Sequence, residues 1–392
     1  MIAVIADDFT GAAEIGGIGL RHGLDVVIVT EDISQTTADL VVYATNSRSL
    51  EAEEASELIL DVTRQLQQLN PLFIYKKIDS VLRGHVSEEL HAQMKSSGKN
   101  RSIVVAANPV FKRTISDGIY YINDIPLDQT SFSSDPEFPV ISALVKDNVG
   151  DNSVCTGLKP GDHLPDSGIV IGDATGLDDL EMWTHQIGEN TIPAGASGFF
   201  DALLKKHHPS GSKKPSHPAP FGEKALYVLG SAFPKDDDIL MKIEQSGHYL
   251  SNMPEEIYFN QNFDPALLEV WADEIVEAIR RYHKVIASVI HSPSDEPGLA
   301  KRIKENTGKL IKMVSKRIEL NELIIEGGNT TSYVLKQLNI KKLIPVQELE
   351  TGVIRMKIEG RPGLCLTTKP GSYSWPDIVW LLHDNIGIRL SG

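Results

Sequence analysis

Asp7 and Asp8 stand side by side, followed closely by Thr10 and Gly11. Adjacent acids of this kind serve as metal ligands, as a general base, or as acceptors for sugar hydroxyls. A hydroxyl and a glycine N–H at a helix start suit a carboxylate or phosphate. The structural alternative is that Asp7 caps a helix and Asp8 is solvated. A second cluster gathers Lys76, Lys77, Asp79, Ser80 and Arg83. Guanidinium pairs with a carboxylate bidentately, whereas lysine offers a point charge. The competing reading there is a salt-bridged loop with Ser80 capping the next helix. A third group is glycine-rich: Gly327-Gly328-Asn329-Thr330, Lys369-Pro370-Gly371-Ser372, and Ser231 after Val228-Leu229-Gly230. Glycines where a strand becomes a helix let backbone N–H groups cradle phosphate. No Walker A loop is present, because no Gly-Lys-Ser/Thr follows the glycine turn.

The elements that must carry these residues read as alternating strands and helices. Ile2–Ala6, Asp25–Val29, Leu40–Ala44, Phe73–Tyr75, Ile103–Ala107 and Ile169–Ile171 are short unbroken apolar runs, the pattern of buried parallel strands. Helices are expected after the first strand, over Ser49–Leu69, His85–Lys95 and Leu177–Ile187, and as a short piece near Val140–Val145. Asn123-Asp124 splits Gly118–Leu127 into a hairpin. A proline-rich polar stretch, 207–224, reads as a linker between an N-terminal domain (1–206) and a C-terminal domain (225–392). In the second, Ala225–Leu229 opens another α/β block, with helices expected near 236–246, 265–281 and 297–315. Strands are expected at 285–290 and 321–325, and then a β-rich tail containing Thr351-Gly352-Val353. The expectation is two α/β domains with mostly parallel sheets and the active site in the cleft between them. In such sheets ligands bind at the carboxyl ends of the strands, which would bring the Asp7–Asp8 and Lys77–Arg83 loops to one pocket.

Composition narrows the classes. The chain has 392 residues, a formal charge of −15, 41% hydrophobic and 23% charged residues, which suits a soluble multidomain protein. That charge disfavours nucleic-acid and anionic-membrane surfaces. Cys155 and Cys365 are too few for a disulfide framework or zinc site, and a cytoplasmic setting fits. Met1 leads directly into a strand with no secretory signal, and no apolar run is long enough to span a bilayer. His163, His185, His207, His208 and His217 show no metal-ligand spacing, and there is no G-x-S-x-G elbow.

Taken together, Ala6–Ala12, Lys77–Gly84, Asn108-Pro109, Gly118–Leu127, Leu229-Gly230-Ser231, Gly327–Thr330 and Lys369–Gly371 resemble the four-carbon acid sugar kinase family, in order and spacing over nearly the whole chain. The resemblance implies an N-terminal sugar-acid domain and a C-terminal nucleotide domain. It implies ATP-dependent phosphorylation of the terminal hydroxyl of threonate, erythronate or 3-oxo-tetronate, with Mg²⁺ bridging the ATP phosphates. Asp8 and Asp79 would be catalytic, with Asp8 nearest the attacking hydroxyl. Asp7, Thr10, Gly11, Lys77, Ser80 and Arg83 would hold the acid, Arg83 and Lys77 at its carboxylate. Ser231, Gly327, Gly328, Asn329, Thr330, Gly352, Lys369 and Gly371 would hold ATP. Asn329 stands where members usually carry an acid, Ile78 and Val81 where they carry Thr, and His85 where they carry Asn. Two other readings stay open: a silent sugar-acid or nucleotide sensor of the same fold, and a dinucleotide-dependent dehydrogenase, which the missing G-x-G-x-x-G disfavours. The sequence leaves a homodimer open.

Overall fold

A computed structural model describes the chain except residues 32, 34, 35, 136, 137, 150–153, 209–219, 231–246, 290–295, 297 and 381–392. Contacts divide it into two compact units, Met1–Pro215 and Ser216–Gly392. The expected helix near 236–246, Ser231 and most of the expected linker lie outside the described residues.

In the first unit, β1 (Ile2–Ala6), β2 (Val26–Val29), β3 (Leu40–Ala44), β4 (Ile74–Lys77) and β5 (Arg101–Val105) come first in the main sheet. A small antiparallel sheet follows, made of β6 (Arg113–Ser116), β7 (Ile119–Ile122) and β8 (Ile125–Pro126). β9 (Cys155–Leu158), β10 (Gly168–Gly172) and β11 (Thr191–Gly195) complete the main sheet, ordered β2-β3-β1-β4-β11-β5-β10-β9. Its described pairings are all parallel. Every residue of β1 is fully buried, as its unbroken apolar run requires of a strand covered on both faces. The helix Phe9–Arg21 lies close against the sheet, for a Cβ on Gly19 would meet Val26 and Leu40 side chains at 2.7 Å. The register sets Ala44, Ala6, Lys77, Gly195 and Val105 side by side, so five loops emerge at one edge.

The expected hairpin forms as β7–β8, and Asn123 and Asp124 both take positive φ (51° and 64°), the backbone of a tight type I′ turn. The short helix near Val140–Val145 is corrected: the helix is Val145–Val149, and Leu144 instead bridges Ile119. The strand β11 and the helix Ser197–His207 had no counterpart in the sequence reading.

In the second unit, β12 (Ala225–Leu229), β13 (Tyr249–Asn252), β14 (Lys284–Ser288) and β15 (Glu322–Glu326) are parallel. The long hairpin strands β16 (Lys342–Glu350), β17 (Val353–Ile358) and β18 (Arg361–Lys369) follow, in the order β13-β14-β12-β15-β18-β17-β16. β18 lies parallel to β15, and β17 antiparallel to β18. Helices Ala266–Tyr282, Leu299–Arg317 and Gly328–Leu338 are amphipathic and bury one face each.

Candidate active site

The loop after β1 carries the two aspartates. Asp8 is the N-cap of the helix Phe9–Arg21: its Oδ1 accepts the Gly11 N–H at 2.7 Å, and its Oδ2 accepts the Thr10 hydroxyl at 2.6 Å. The structural alternative assigned the cap to Asp7; the cap is Asp8, and neither acid is solvated. Thr10 and Gly11, expected to receive a carboxylate or phosphate, spend these donors on Asp8. Asp7 turns the other way, to Arg48, whose Nε and Nη2 reach both its carboxylate oxygens at 2.9–3.0 Å.

Arg48 is a residue the sequence reading missed. It follows β3 at the same edge, and its guanidinium also lies 3.5 Å from Asp8 Oδ1 and 3.4 Å from Asp79 Oδ1. One cation thus faces three buried carboxylates. The strand-end rule that singled out the loops after β1 and β4 applies equally to Asn46-Ser47-Arg48 after β3.

The loop after β4 is organised by Asp79, which accepts the backbone N–H groups of Val81 and Arg83 and the Nε and Nη2 of Arg83 (2.9 and 2.8 Å). Arg83 also gives Nη1 to Asp135 at 2.6 Å and lies over the Phe132 ring. Both residues with which Arg83 pairs are acids of this chain. Lys77 donates to the Ile78 carbonyl at 2.8 Å and lies 3.8 Å from Glu14, which accepts a hydrogen bond from Ser197; Ser197 in turn accepts one from Asn108. Lys76 points elsewhere, to Glu89 at 2.6 Å. Ser80 takes a hydrogen bond from Arg113 on its hydroxyl and one from Tyr120 on its carbonyl. The structure therefore gathers Asp7, Asp8, Thr10, Gly11, Lys77, Asp79, Ser80 and Arg83 at one edge, and adds Glu14, Arg48, Asn108, Arg113, Asp135 and Ser197.

Electrostatics separates the two adjacent acids. Burial pushes the Asp8 carboxyl up, but Arg48, Lys77 and the hydrogen bonds from Thr10 and Gly11 outweigh it and hold the group below its ordinary value. Burial prevails at Asp7, which is raised despite Arg48. At Asp79 burial is overcome by Arg83 and Arg48, so the carboxyl is held far below the usual range. A low-lying carboxylate beside a raised one is a common division of acid and base labour.

The glycine-rich loops of the second unit also share one edge, because Glu326 pairs with Lys369 in register and Ile354 with Thr368. Gly327 has φ +92°, a conformation that favours glycine, and Gly328 opens the helix Gly328–Leu338. The first turn of a helix presents N–H groups that suit a phosphate. Thr330 lies beside Gly230, whose added Cβ would come within 3.1 Å of its hydroxyl. Gly352, φ +78°, forms the β16–β17 turn and packs on the Tyr373 ring. Lys369 is fully buried: its Nζ reaches Glu326 at 2.8 Å and the Pro370 carbonyl at 3.1 Å, and it lies over Trp375. Its ammonium thus ties the ends of β15 and β18 together. Gly371 lies in the turn that follows. Among the described residues no group of three or more His, Cys, Asp or Glu is placed to hold a metal ion, and no helix is long and apolar enough to cross a membrane.

Comparison with known proteins matches two parts of the chain to two family models. Residues 2–203 match the family model described as a sugar-binding N-terminal domain, and residues 244–373 that of a nucleotide-binding C-terminal domain. The chain is 23% identical to a D-threonate kinase of Bordetella bronchiseptica, over 96% of this chain and 95% of the other. It is 22% identical to a 3-oxo-tetronate kinase of Haemophilus influenzae, over 96% and 98%. A D-threonate kinase of Salmonella typhimurium is 33% identical over 149 residues, 37% of this chain and 35% of that one. Two crystal structures share the fold over 97% of this chain. One is a Salmonella typhimurium protein (TM-score 0.75, 17% identity, 97% of that chain), the other a Haemophilus influenzae protein (0.69, 18%, 98%). A sugar-binding domain followed by a nucleotide-binding domain, matched from end to end by such kinases, places this chain in the four-carbon acid sugar kinase family.

Proposed function

We propose that the protein is an ATP-dependent kinase that phosphorylates the terminal hydroxyl of a four-carbon sugar acid: threonate, erythronate or 3-oxo-tetronate. The observation that carries this reading is similarity over 96% of the chain to proteins named D-threonate kinase and 3-oxo-tetronate kinase. Phosphoryl transfer asks a protein mainly for positioning and charge neutralisation. The edge above β1, β3 and β4 would hold the acid, with Asp8 nearest the acceptor hydroxyl. Its carboxylate, held ionised beside Arg48 and Lys77, can accept that proton or orient it. Asp7, Thr10 and Gly11 would fix Asp8; Asp79, with Arg83 and Ser80, would order the facing loop. Gly327, Gly328, Asn329, Thr330, Gly352 and Gly371 would line the nucleotide site, with Lys369 holding its two loops together. Mg²⁺ arriving with ATP would neutralise charge on the phosphates. The cytoplasm, where ATP is at hand and thiols stay reduced, suits Cys155 and Cys365, both free.

Incubation with ATP and a panel of tetronates, followed by phosphorus NMR, tests the reaction. A new phosphomonoester on the terminal carbon is expected. Binding of acid and nucleotide with no phosphomonoester would select the sensor reading, which Asn329 motivates.

A further inference from the structure

The kinase reading leaves open which cation meets the carboxylate that distinguishes a sugar acid from a sugar alcohol. Four cations face the edge above β1, β3, β4 and β5. Arg48 is committed to Asp7, with Asp8 and Asp79 beside it. Arg83 is committed to Asp79 and Asp135. Lys77 stands on Glu14 and the Ile78 carbonyl. Arg113 differs from all three. Among the described residues no carboxylate lies within ion-pair distance of it, and its only side-chain hydrogen bond goes to Ser80 Oγ.

Its placement is nonetheless firm. The backbone of Arg113 is pinned to Asn108, beyond the end of β5, by paired hydrogen bonds of 2.8 and 3.1 Å. Its guanidinium lies 5.7 Å from the centroid of the Phe132 ring, over which Arg83 also stacks. Its side chain is half-buried, so the charge is partly withdrawn from water without an acid to answer it. An unanswered charge in such a place is costly, and an incoming carboxylate removes the cost. The planar fork offers two parallel N–H donors, which match a carboxylate bidentately.

We infer that Arg113 takes the carboxylate of the sugar acid, with Ser80 and Phe132 fixing its guanidinium, while Arg83 positions Asp79. The inference rests on the kinase reading and deepens it. Arg113 then sets the preference for acids over neutral four-carbon polyols.

Calorimetric titration, without ATP, of wild type, Arg113→Met and Arg113→Lys tests it, with the tetronate stereoisomers and their neutral tetronamides as probes. Wild type should prefer acid to amide. Arg113→Met should weaken acid binding on the order of 10- to 100-fold, bring acid and amide together, and leave ATP affinity unchanged. Arg113→Lys should restore part of the acid preference, and it carries the test alone if the methionine variant does not fold. Acid binding unchanged in the variants, or acid and amide weakened equally, overturns the role of Arg113 and leaves the kinase reading standing. Wild type that binds no tetronate overturns the kinase reading, and this role falls with it.

Discussion

The two adjacent aspartates can be told apart by substitution, because the structure gives them different partners. Asparagine caps a helix about as well as aspartate, so Asp8→Asn should fold and bind both substrates. Loss of a general base costs about 10²–10⁴-fold in kcat, and steady-state kinetics should show that loss with little change in KM. Asp7→Asn instead weakens a buried pair with Arg48; its melting temperature should fall while kcat stays closer to wild type. The reverse pattern would exchange the two roles. Asp79 gives a pH test. Its folded pKa is held far below the ordinary value by Arg83 and Arg48 against burial, so its contribution to stability is fully present above about pH 4, the unfolded value. It is lost as pH falls from there towards the folded value. Asp79→Asn should therefore lower stability near neutral pH and flatten the acid side of a denaturation-versus-pH curve; parallel curves would rule this out. At this scale the sequence made the paired acids and the Lys77–Arg83 cluster visible by residue type. It could not show that Arg83 is taken up by Asp79 and Asp135 or that Arg48 meets three acids, because those partners are brought together only by the order of the strands.

Among the elements, the helix Phe9–Arg21 shows most plainly how small residues hold a site in place. Gly19→Ala would gain about 0.5–1 kcal/mol of helix propensity, but its Cβ would press on Val26 and Leu40 at 2.7 Å. Overpacking costs about 1–3 kcal/mol, so thermal unfolding should show a net loss; an unchanged or higher melting temperature would mean that the helix moves freely against the sheet. The small-residue pattern made this close approach legible, as Asn123-Asp124 did the hairpin. The strand β11 was not legible, since Thr191-Ile192-Pro193-Ala194-Gly195 puts proline inside a central strand, where it is normally excluded. β11 meets β4 only at Ala194 and Gly195, past the proline, which leaves that flank with no ladder there to break. Missing β11 also hid the helix Ser197–His207, and with it Ser197 beside Glu14.

For the molecule as a whole, the formal charge is −15, and at the strand edge of the first unit Arg48, Lys77 and Arg83 stand against acids of the chain itself. Alternation of strand and helix disclosed the α/β class, and the glycine-rich strand ends gave reason to expect a nucleotide in the second unit, whose residues 244–373 match a nucleotide-binding domain model. The choice of sugar acid was not disclosed, because on the proposed reading it would rest on where side chains such as Arg113 come to lie at one strand edge, which only the strand order fixes. The central claim is that this chain moves a phosphoryl group from ATP to a four-carbon sugar acid. Release of ADP, followed continuously with each tetronate in turn, measures that most directly. The account predicts ADP formation that depends on one tetronate or a few, at roughly 1–100 s⁻¹ under saturation, matched mole for mole by phosphorylated acid. ADP release that no tetronate accelerates would contradict it.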